Sequence, residues 1–73
     1  MLLVPVSSSN LAAIGYDPTA AELQVQFQTG AIYAYHNVPP EIYDGLVNAP
    51  SKGTYFAETI RNVPWAYTPT RIL

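Results

Sequence analysis

The segment Ala31–Pro40, which reads AIYAYHNVPP, constrains the fold more than any other part of the chain. In its first half, tyrosines alternate with small or apolar residues, a pattern that is typical of a β-strand. Pro39 and Pro40 end that strand, because proline has no backbone N–H for a ladder and Pro39 keeps Val38 extended. The following residues, Glu41–Ala49, change to helical spacing. The segment therefore predicts a sheet that leads directly into a helix.

The length and composition of the chain indicate one small domain, residues 1–73. Of its 73 residues, 49% are apolar and 11% are charged, and cysteine is absent. A core of this size gives marginal stability, and no disulfide can strengthen it. We therefore expect a homo-oligomer, in which contacts between subunits add stability.

Charge and hydropathy argue against two classes of partner. The net charge is −2 and the only cations are Lys52, Arg61 and Arg71, which is too few for a broad polyanion-binding face. The apolar run Met1–Val4 is interrupted by Pro5 and is far shorter than a membrane helix or a signal sequence. We therefore expect no membrane association and a cytoplasmic location, in a bacterial cell or a phage-infected host.

Four segments have the composition and alternation of strands. The clearest is Glu22–Gln28 (ELQVQFQ), in which apolar residues alternate strictly with Glu and Gln. This alternation predicts one buried and one solvated face. Leu11–Tyr16 and Ala31–His36 are predicted as further strands, and Leu2–Val6 as a short edge strand, where proline is tolerated.

The turn between the third and fourth of these strands decides which way two tyrosines face. A two-residue turn would place Tyr33 and Tyr35 on the polar glutamine face. A type I turn with Gly30 as a bulge would instead set these tyrosines opposite Val25 and Leu23, on the apolar face. We predict the bulge, because the residue before Gly30 is a threonine and resists the positive φ that the two-residue turn needs.

Two helices are predicted after the strands. The first covers Pro39–Val47, since proline is well tolerated in a first helical turn. The second covers Lys52–Arg61, with Ser51 as its N-cap. The predicted fold class is α+β, an antiparallel β-meander of three or four strands followed by two short helices packed on one face. The last residues, Trp65–Leu73, have no clear period and could add a strand or cover a neighbour.

Three blocks of the sequence together resemble the KTSC domain, and the resemblance implies a core at residues 4–67 and a C-terminal tail at 68–73. They are Ser8-Ser9-Asn10…Ile14-Gly15-Tyr16-Asp17, Phe27…Gly30…Tyr33-Ala34-Tyr35…Val38-Pro39 and Ala49-Pro50-Ser51-Lys52-Gly53…Tyr55-Phe56…Ile60-Arg61. This short domain is found alone in bacterial and phage proteins and at the C-terminus of some lysyl-tRNA synthetases. The family's central Tyr-x-Tyr signature falls on Tyr33 and Tyr35. The resemblance implies RNA binding, which was suggested for the family from its link to the synthetase.

The candidate ligand site combines aromatic rings that can stack on a base with polar groups that can hold a phosphate. Arg61 can grip a phosphate bidentately, and Ser51 with Lys52 lies at a helix start that favours an anion. The alternative is structural, with the tyrosines packed on the sheet and Ser51 acting only as a helix cap. The predicted ligand-binding residues are Tyr33, Tyr35, Ser51, Lys52, Gly53, Tyr55, Phe56 and Arg61.

No pattern in the sequence indicates catalysis. There is one histidine, His36, and no nucleophile–base pair, carboxylate dyad, metal-ligand cluster or cofactor motif. We therefore expect a non-catalytic module without cofactor or metal. It would be a small oligomer that binds or sequesters a phosphate-bearing, nucleotide-type ligand such as a cyclic oligonucleotide, like phage anti-defence sponge proteins. The alternatives are an RNA-binding domain of a translation-related protein and a protein–protein interaction module anchored by the tyrosines and Trp65.

Overall fold

The structure, a computed structural model that describes residues 2–73, contains an antiparallel sheet of five strands whose order in space follows their order in sequence. The α+β class is confirmed. The strands are β1 (Val4–Pro5), β2 (Leu11–Asp17), β3 (Glu22–Phe27), β4 (Ile32–Tyr35) and β5 (Pro69–Arg71). Between β4 and β5 lie α1 (Pro40–Asn48), α2 (Lys52–Phe56) and a π-helical segment (Ala57–Arg61) that continues α2.

The sheet exceeds the predicted three or four strands because the C-terminal tail adds a further edge strand. At one edge β1 pairs with β2. At the other edge, β5 returns after the helices and lies against β4, with Tyr33 opposite Arg71 and Tyr35 opposite Pro69. A strand of three residues is too short to show a period in the sequence. Tertiary pairing therefore decides the structure of the tail.

The hairpin formed by β3 and β4 has the predicted bulged register. Val25 lies opposite Tyr33, and Leu23 lies opposite Tyr35. The Phe27 N–H donates to the Ala31 carbonyl at 2.9 Å. Gly30 adopts a φ of 95°, which is inexpensive only for glycine. Both tyrosines of the central motif consequently share the apolar face of the sheet, as predicted.

One core fills the space between this sheet face and the helices. Phe56 is its centre, because its ring packs edge-to-face against Phe27 at 5.7 Å and against Tyr35 at 5.3 Å between ring centroids. Aromatic pairs with this geometry add stabilisation beyond the area that they bury. The core residues are Leu11, Ile14, Leu23, Val25, Tyr35, Val38, Leu46, Phe56 and Ile60.

The second helix begins as predicted but does not stay regular. Ser51 caps it, because the Ser51 hydroxyl accepts the Thr54 N–H at 3.4 Å. From Ala57 onward the helix is of the π type, and the Asn62 N–H bonds to the Ala57 carbonyl, five residues earlier, at 3.1 Å. Each π turn holds one residue more than an α turn. The side chains at the end of this helix are therefore rotated from the positions that a regular helix over Lys52–Arg61 would give them.

Candidate functional site: a polar cleft beside the second helix

An open cleft of about 330 Å³ lies where the turn before β2 meets α2 and the π-helical segment. We call it the polar cleft. It presents three hydroxyl side chains, one amide, one carboxylate and one guanidinium. The residues that line it are Ser9, Asn10, Ser51, Gly53, Thr54, Ala57, Glu58 and Arg61.

Ser51 and Thr54 form a hydrogen-bonded pair at the start of α2. The Ser51 hydroxyl accepts the Thr54 N–H and donates to Thr54 Oγ1 at 3.0 Å. Because Thr54 Oγ1 acts as the acceptor, its own hydroxyl proton is available to a ligand. The cap that starts the helix therefore also orients a donor in the polar cleft.

The turn before β2 approaches α2 most closely at Gly53. A Cβ on Gly53 would collide with Asn10 Oδ1 and would lie 3.3 Å from Ser8 Oγ. Asn10 Oδ1 cannot move away freely, because it accepts a hydrogen bond from Ser8 Oγ at 3.1 Å. Ser8 Oγ in turn accepts the Leu11 N–H at 3.3 Å. The glycine thus lets the two walls of the polar cleft meet.

The π-helical segment places Arg61 over an aromatic ring. The guanidinium carbon of Arg61 lies 5.9 Å from the centroid of the Phe56 ring. In a regular α-helix, with about 3.6 residues per turn, side chains five residues apart point roughly 140° away from each other. The wider π turn brings the two side chains back to the same side. A cation–π contact at an exposed site contributes about 0.5–1 kcal/mol and holds the guanidinium in place.

The charge of Arg61 also acts on the core beneath it. Tyr35 is only 4% exposed. Burial raises the pKa of the Tyr35 hydroxyl, whereas the Arg61 guanidinium lowers it and Tyr33 raises it. The pKa of this group therefore lies above its usual value of 10.0, and the Tyr35 hydroxyl is neutral at physiological pH.

Three of the predicted site residues meet in the polar cleft, namely Ser51, Gly53 and Arg61. Lys52 is directed elsewhere. Its ammonium donates to the Ala49 carbonyl at 3.3 Å, at the end of α1, where a cation offsets the negative end of the helix dipole. Ser51 thus lines the polar cleft, whereas Lys52 is not among its lining residues.

The four aromatic residues of the predicted site do not form a stacking platform. Phe56 is fully buried and Tyr35 nearly so, so neither ring has a face open to a base. Tyr55 is half-buried, and its hydroxyl donates to an α1 carbonyl at 3.0 Å. Tyr33 is half-buried and packs its ring edge-to-face on a neighbouring strand. The packed-sheet alternative therefore describes these residues, because the helices lie on the sheet face that carries the tyrosines.

Four polar residues that line the cleft were not predicted as site residues from the sequence, namely Ser9, Asn10, Thr54 and Glu58. Ser9 and Asn10 belong to the first block of the family resemblance, and that block was the one signal that could have found them. Their contact with α2 joins segments far apart in the sequence. Thr54 and Glu58 lie on the same helix as Arg61, but helical spacing alone does not show which of its faces borders a cleft.

Residues 2–73 contain no group of three His, Cys, Asp or Glu side chains arranged to hold a metal ion. In the same range, every buried side-chain nitrogen or oxygen has a hydrogen-bond partner. No helix in this described part of the chain combines the length and the hydropathy that crossing a bilayer requires.

Comparison with known proteins assigns the family. The profile of the KTSC domain matches residues 7–64. The chain belongs to the KTSC family. The crystal structure of a KTSC domain protein from Yersinia pestis superposes on it with a TM-score of 0.90 at 33% sequence identity, covering 99% of this chain and 97% of that one. The resemblance and the fold inferred from the sequence are both confirmed.

Relatives carry this domain in two contexts. An uncharacterized protein of Stutzerimonas stutzeri is 39% identical over 67 residues, which are 92% of this chain and 94% of that protein. A lysine–tRNA ligase of Nostoc sp. is 41% identical over 59 residues, which are 81% of this chain but only 10% of the ligase. A KTSC domain thus makes up nearly all of one relative and a small part of the other.

Proposed function

We propose that this KTSC protein is a non-catalytic binding module whose polar cleft takes a phosphate-bearing, nucleotide-type ligand. The observation that carries the proposal is Arg61. Its guanidinium borders the cleft and rests on the Phe56 ring, so a planar, always charged group is held where a phosphate can bind it bidentately. Hydroxyl groups beside it, from Ser51 and Thr54, offer further hydrogen bonds.

The size of the cleft bears on the kind of nucleotide. Ligand sites commonly have volumes of about 300–1,000 Å³, and the polar cleft, at about 330 Å³, is at the lower end. It has room for roughly one nucleotide unit. A cyclic oligonucleotide would extend beyond it, onto a second copy of the chain, and a homo-oligomer could sequester such a ligand as anti-defence sponge proteins do.

Exposed apolar side chains support the homo-oligomer. Trp65 is 81% exposed and Ile72 is 51% exposed, and aromatic residues of this kind commonly anchor interfaces. Sedimentation velocity of the chain and of Trp65→Ser tests this point. We expect an oligomer that dissociates in the variant, and a monomeric parent chain would contradict the proposal.

A thermal-shift and calorimetric screen tests ligand binding. A ligand present at about a hundred times its Kd adds roughly 2.7 kcal/mol to the free energy of unfolding, which raises the Tm of a domain this small by many degrees. The screen covers 5′-mononucleotides, cyclic dinucleotides, larger cyclic oligonucleotides and short RNAs. We expect a nucleotide-type ligand to raise the Tm.

Two arginine variants show whether such a ligand uses the polar cleft. Arg61→Ala should weaken binding at least about tenfold, through loss of charge-assisted hydrogen bonds. Arg71→Ala is the matched control, because it removes the same charge from an exposed arginine on β5. It should change Kd less than about twofold. No ligand in the screen, or an equal effect of both variants, would refute the proposed site.

RNA is the second candidate, favoured by the similarity to lysine–tRNA ligases. Each phosphate that a single strand contacts contributes a slope of about −0.7 to the dependence of log K on log salt. If a single nucleotide binds in the cleft, the slope of log K against log salt should be close to the value for one phosphate, about −0.7. A steeper slope with a short single-stranded RNA, together with sensitivity to Lys52→Ala and Arg71→Ala, would favour RNA instead.

A further inference from the structure

Glu58 places a carboxylate in the same cleft as Arg61. The Glu58 side chain is exposed and lies three residues before Arg61 in the π-helical segment. Among residues 2–73 no ion pair joins Arg61 to a carboxylate. The guanidinium instead lies over the Phe56 ring. The lining of the polar cleft thus includes one positive and one negative group.

This arrangement restricts which anions fit. An ionised carboxylate accepts hydrogen bonds and donates none, so a ligand next to Glu58 has to supply donors. A negative charge brought within several ångströms of Glu58 is repelled, which lowers affinity by a few-fold where water screens the pair. Arg61 therefore raises the affinity of the cleft for inorganic phosphate, and Glu58 lowers it. Glu58 lowers the affinity for a polyphosphate further.

We infer, on the basis of the function proposed above, that Glu58 is the specificity-determining residue of the polar cleft. It selects a nucleotide that carries a pair of hydrogen-bond donors beside one phosphate. Two parts of a nucleotide supply such a pair: the 2′,3′-diol of ribose and the N1–H and N2–H₂ edge of guanine. Carboxylates bind ribose hydroxyls in this way in dinucleotide sites, and the 2′-hydroxyl is the group that distinguishes RNA from DNA.

Five small ligands separate the two sources of the donor pair. Calorimetry with the full chain uses 5′-AMP, 5′-dAMP, 5′-GMP, 5′-dGMP and inorganic phosphate. If Glu58 binds the ribose, AMP and GMP bind about tenfold more tightly than their deoxy forms, as expected for a charge-assisted hydrogen bond. If Glu58 binds guanine, GMP and dGMP exceed AMP and dAMP by a similar factor. Inorganic phosphate is the weakest ligand in either case.

Glu58→Gln should then have effects of opposite sign on two ligands. The preference among the nucleotides should fall below about threefold, because the amide oxygen is uncharged and a weaker acceptor. Inorganic phosphate should bind a few-fold more tightly, because the repulsion is gone. Glu41→Gln is the control, since Glu41 is an exposed glutamate in the first turn of α1 and the change in net charge is the same. It should alter neither property.

The outcomes distinguish this inference from the function on which it rests. If wild-type protein binds the nucleotides in an Arg61-dependent way, but with equal Kd values that Glu58→Gln leaves equal, the role of Glu58 is refuted and the nucleotide module stands. If none of the five ligands and no larger nucleotide binds, both proposals fail. Selectivity that disappears in Glu58→Gln and persists in Glu41→Gln establishes the inference.

Discussion

The two faces of the helical segment Lys52–Arg61 have opposite characters. On one face, Phe56 and Ile60 are completely buried against the sheet. On the other, Thr54 and Glu58 are exposed and border the polar cleft. Arg61 also lines the cleft, but its guanidinium lies over the Phe56 ring. Phe56 was one of the predicted ligand-binding residues, but its ring lies beneath the Arg61 guanidinium. The buried face of this helical segment therefore contributes to stability, and the exposed face carries groups of the candidate site.

Truncation of the buried face should give the largest effect. Phe56→Ala removes a fully buried aromatic ring, and such changes cost about 3–5 kcal/mol. Urea denaturation monitored by circular dichroism measures the loss, and a domain of this size could unfold altogether. Thr54→Ala, on the exposed face, should change stability by no more than about 0.5 kcal/mol. Similar losses in both variants would contradict the division between the two faces.

A smaller effect is expected where the cleft walls meet. Gly53→Ala should destabilise the protein by about 1 kcal/mol or more, because the new Cβ collides with Asn10 Oδ1. In an Asn10→Ala background the same change should be neutral or stabilising, since the oxygen is gone and a helix prefers alanine to glycine. A double-mutant cycle in urea measures this reversal. An unchanged cost in the Asn10→Ala background would show that the contact is not what requires glycine.

Alkaline pH should lower the stability of the domain, because it ionises a tyrosine of the buried core. Burial, opposed by Arg61, raises the pKa of Tyr35 above 10.0, so the folded state keeps a proton that the unfolded chain loses. Stability is therefore complete below about pH 10 and falls as the pH rises toward the folded-state pKa. Tyr16 should contribute to the same loss, because burial and nearby carboxylates raise its pKa too. Thermal unfolding from pH 8 to 11 measures the trend, which should be shallower in Tyr35→Phe. An identical slope in this variant would be inconsistent with the raised pKa.

A small change in stability is expected for Arg61→Ala. Its contact with Phe56 is at the surface, so the loss should be about 0.5–1 kcal/mol. Ligand affinity should nevertheless fall at least about tenfold, as proposed above. Comparing urea midpoints with calorimetric Kd values separates the two effects. A destabilisation near that of Phe56→Ala would mean that Arg61 belongs to the core rather than to the cleft.

Much of the fold was predictable because its signals are local. The alternation in Glu22–Phe27 showed a strand with one apolar face. Thr29, which resists a positive φ, decided between the two hairpin registers, with Gly30 as the bulge. Ser51 marked the start of α2 through its side-chain preference. The π turn after Phe56 was not predictable, because nothing in the spacing of its residues departs from an ordinary helix.

The candidate site was predictable only in part. Arg61 and Ser51 were found from their chemistry, and both line the cleft. Tyr35 and Phe56 were also chosen for their chemistry, but an aromatic ring suits a core as well as a ligand. Burial decides between these roles, and burial depends on which face of the sheet the helices cover.

The sequence by itself determined the order of the elements up to α2 and the direction in which the central tyrosines face, since both follow from periodicity, proline and glycine over short stretches. Its resemblance to known motif blocks indicated the KTSC family. Only the tertiary structure decided that Asn10 meets Gly53, that Lys52 turns to the end of α1, and that Arg61 and Glu58 share a cleft. These contacts arise when the helices pack on the sheet. Their free energy comes from the whole core and not from any local pattern.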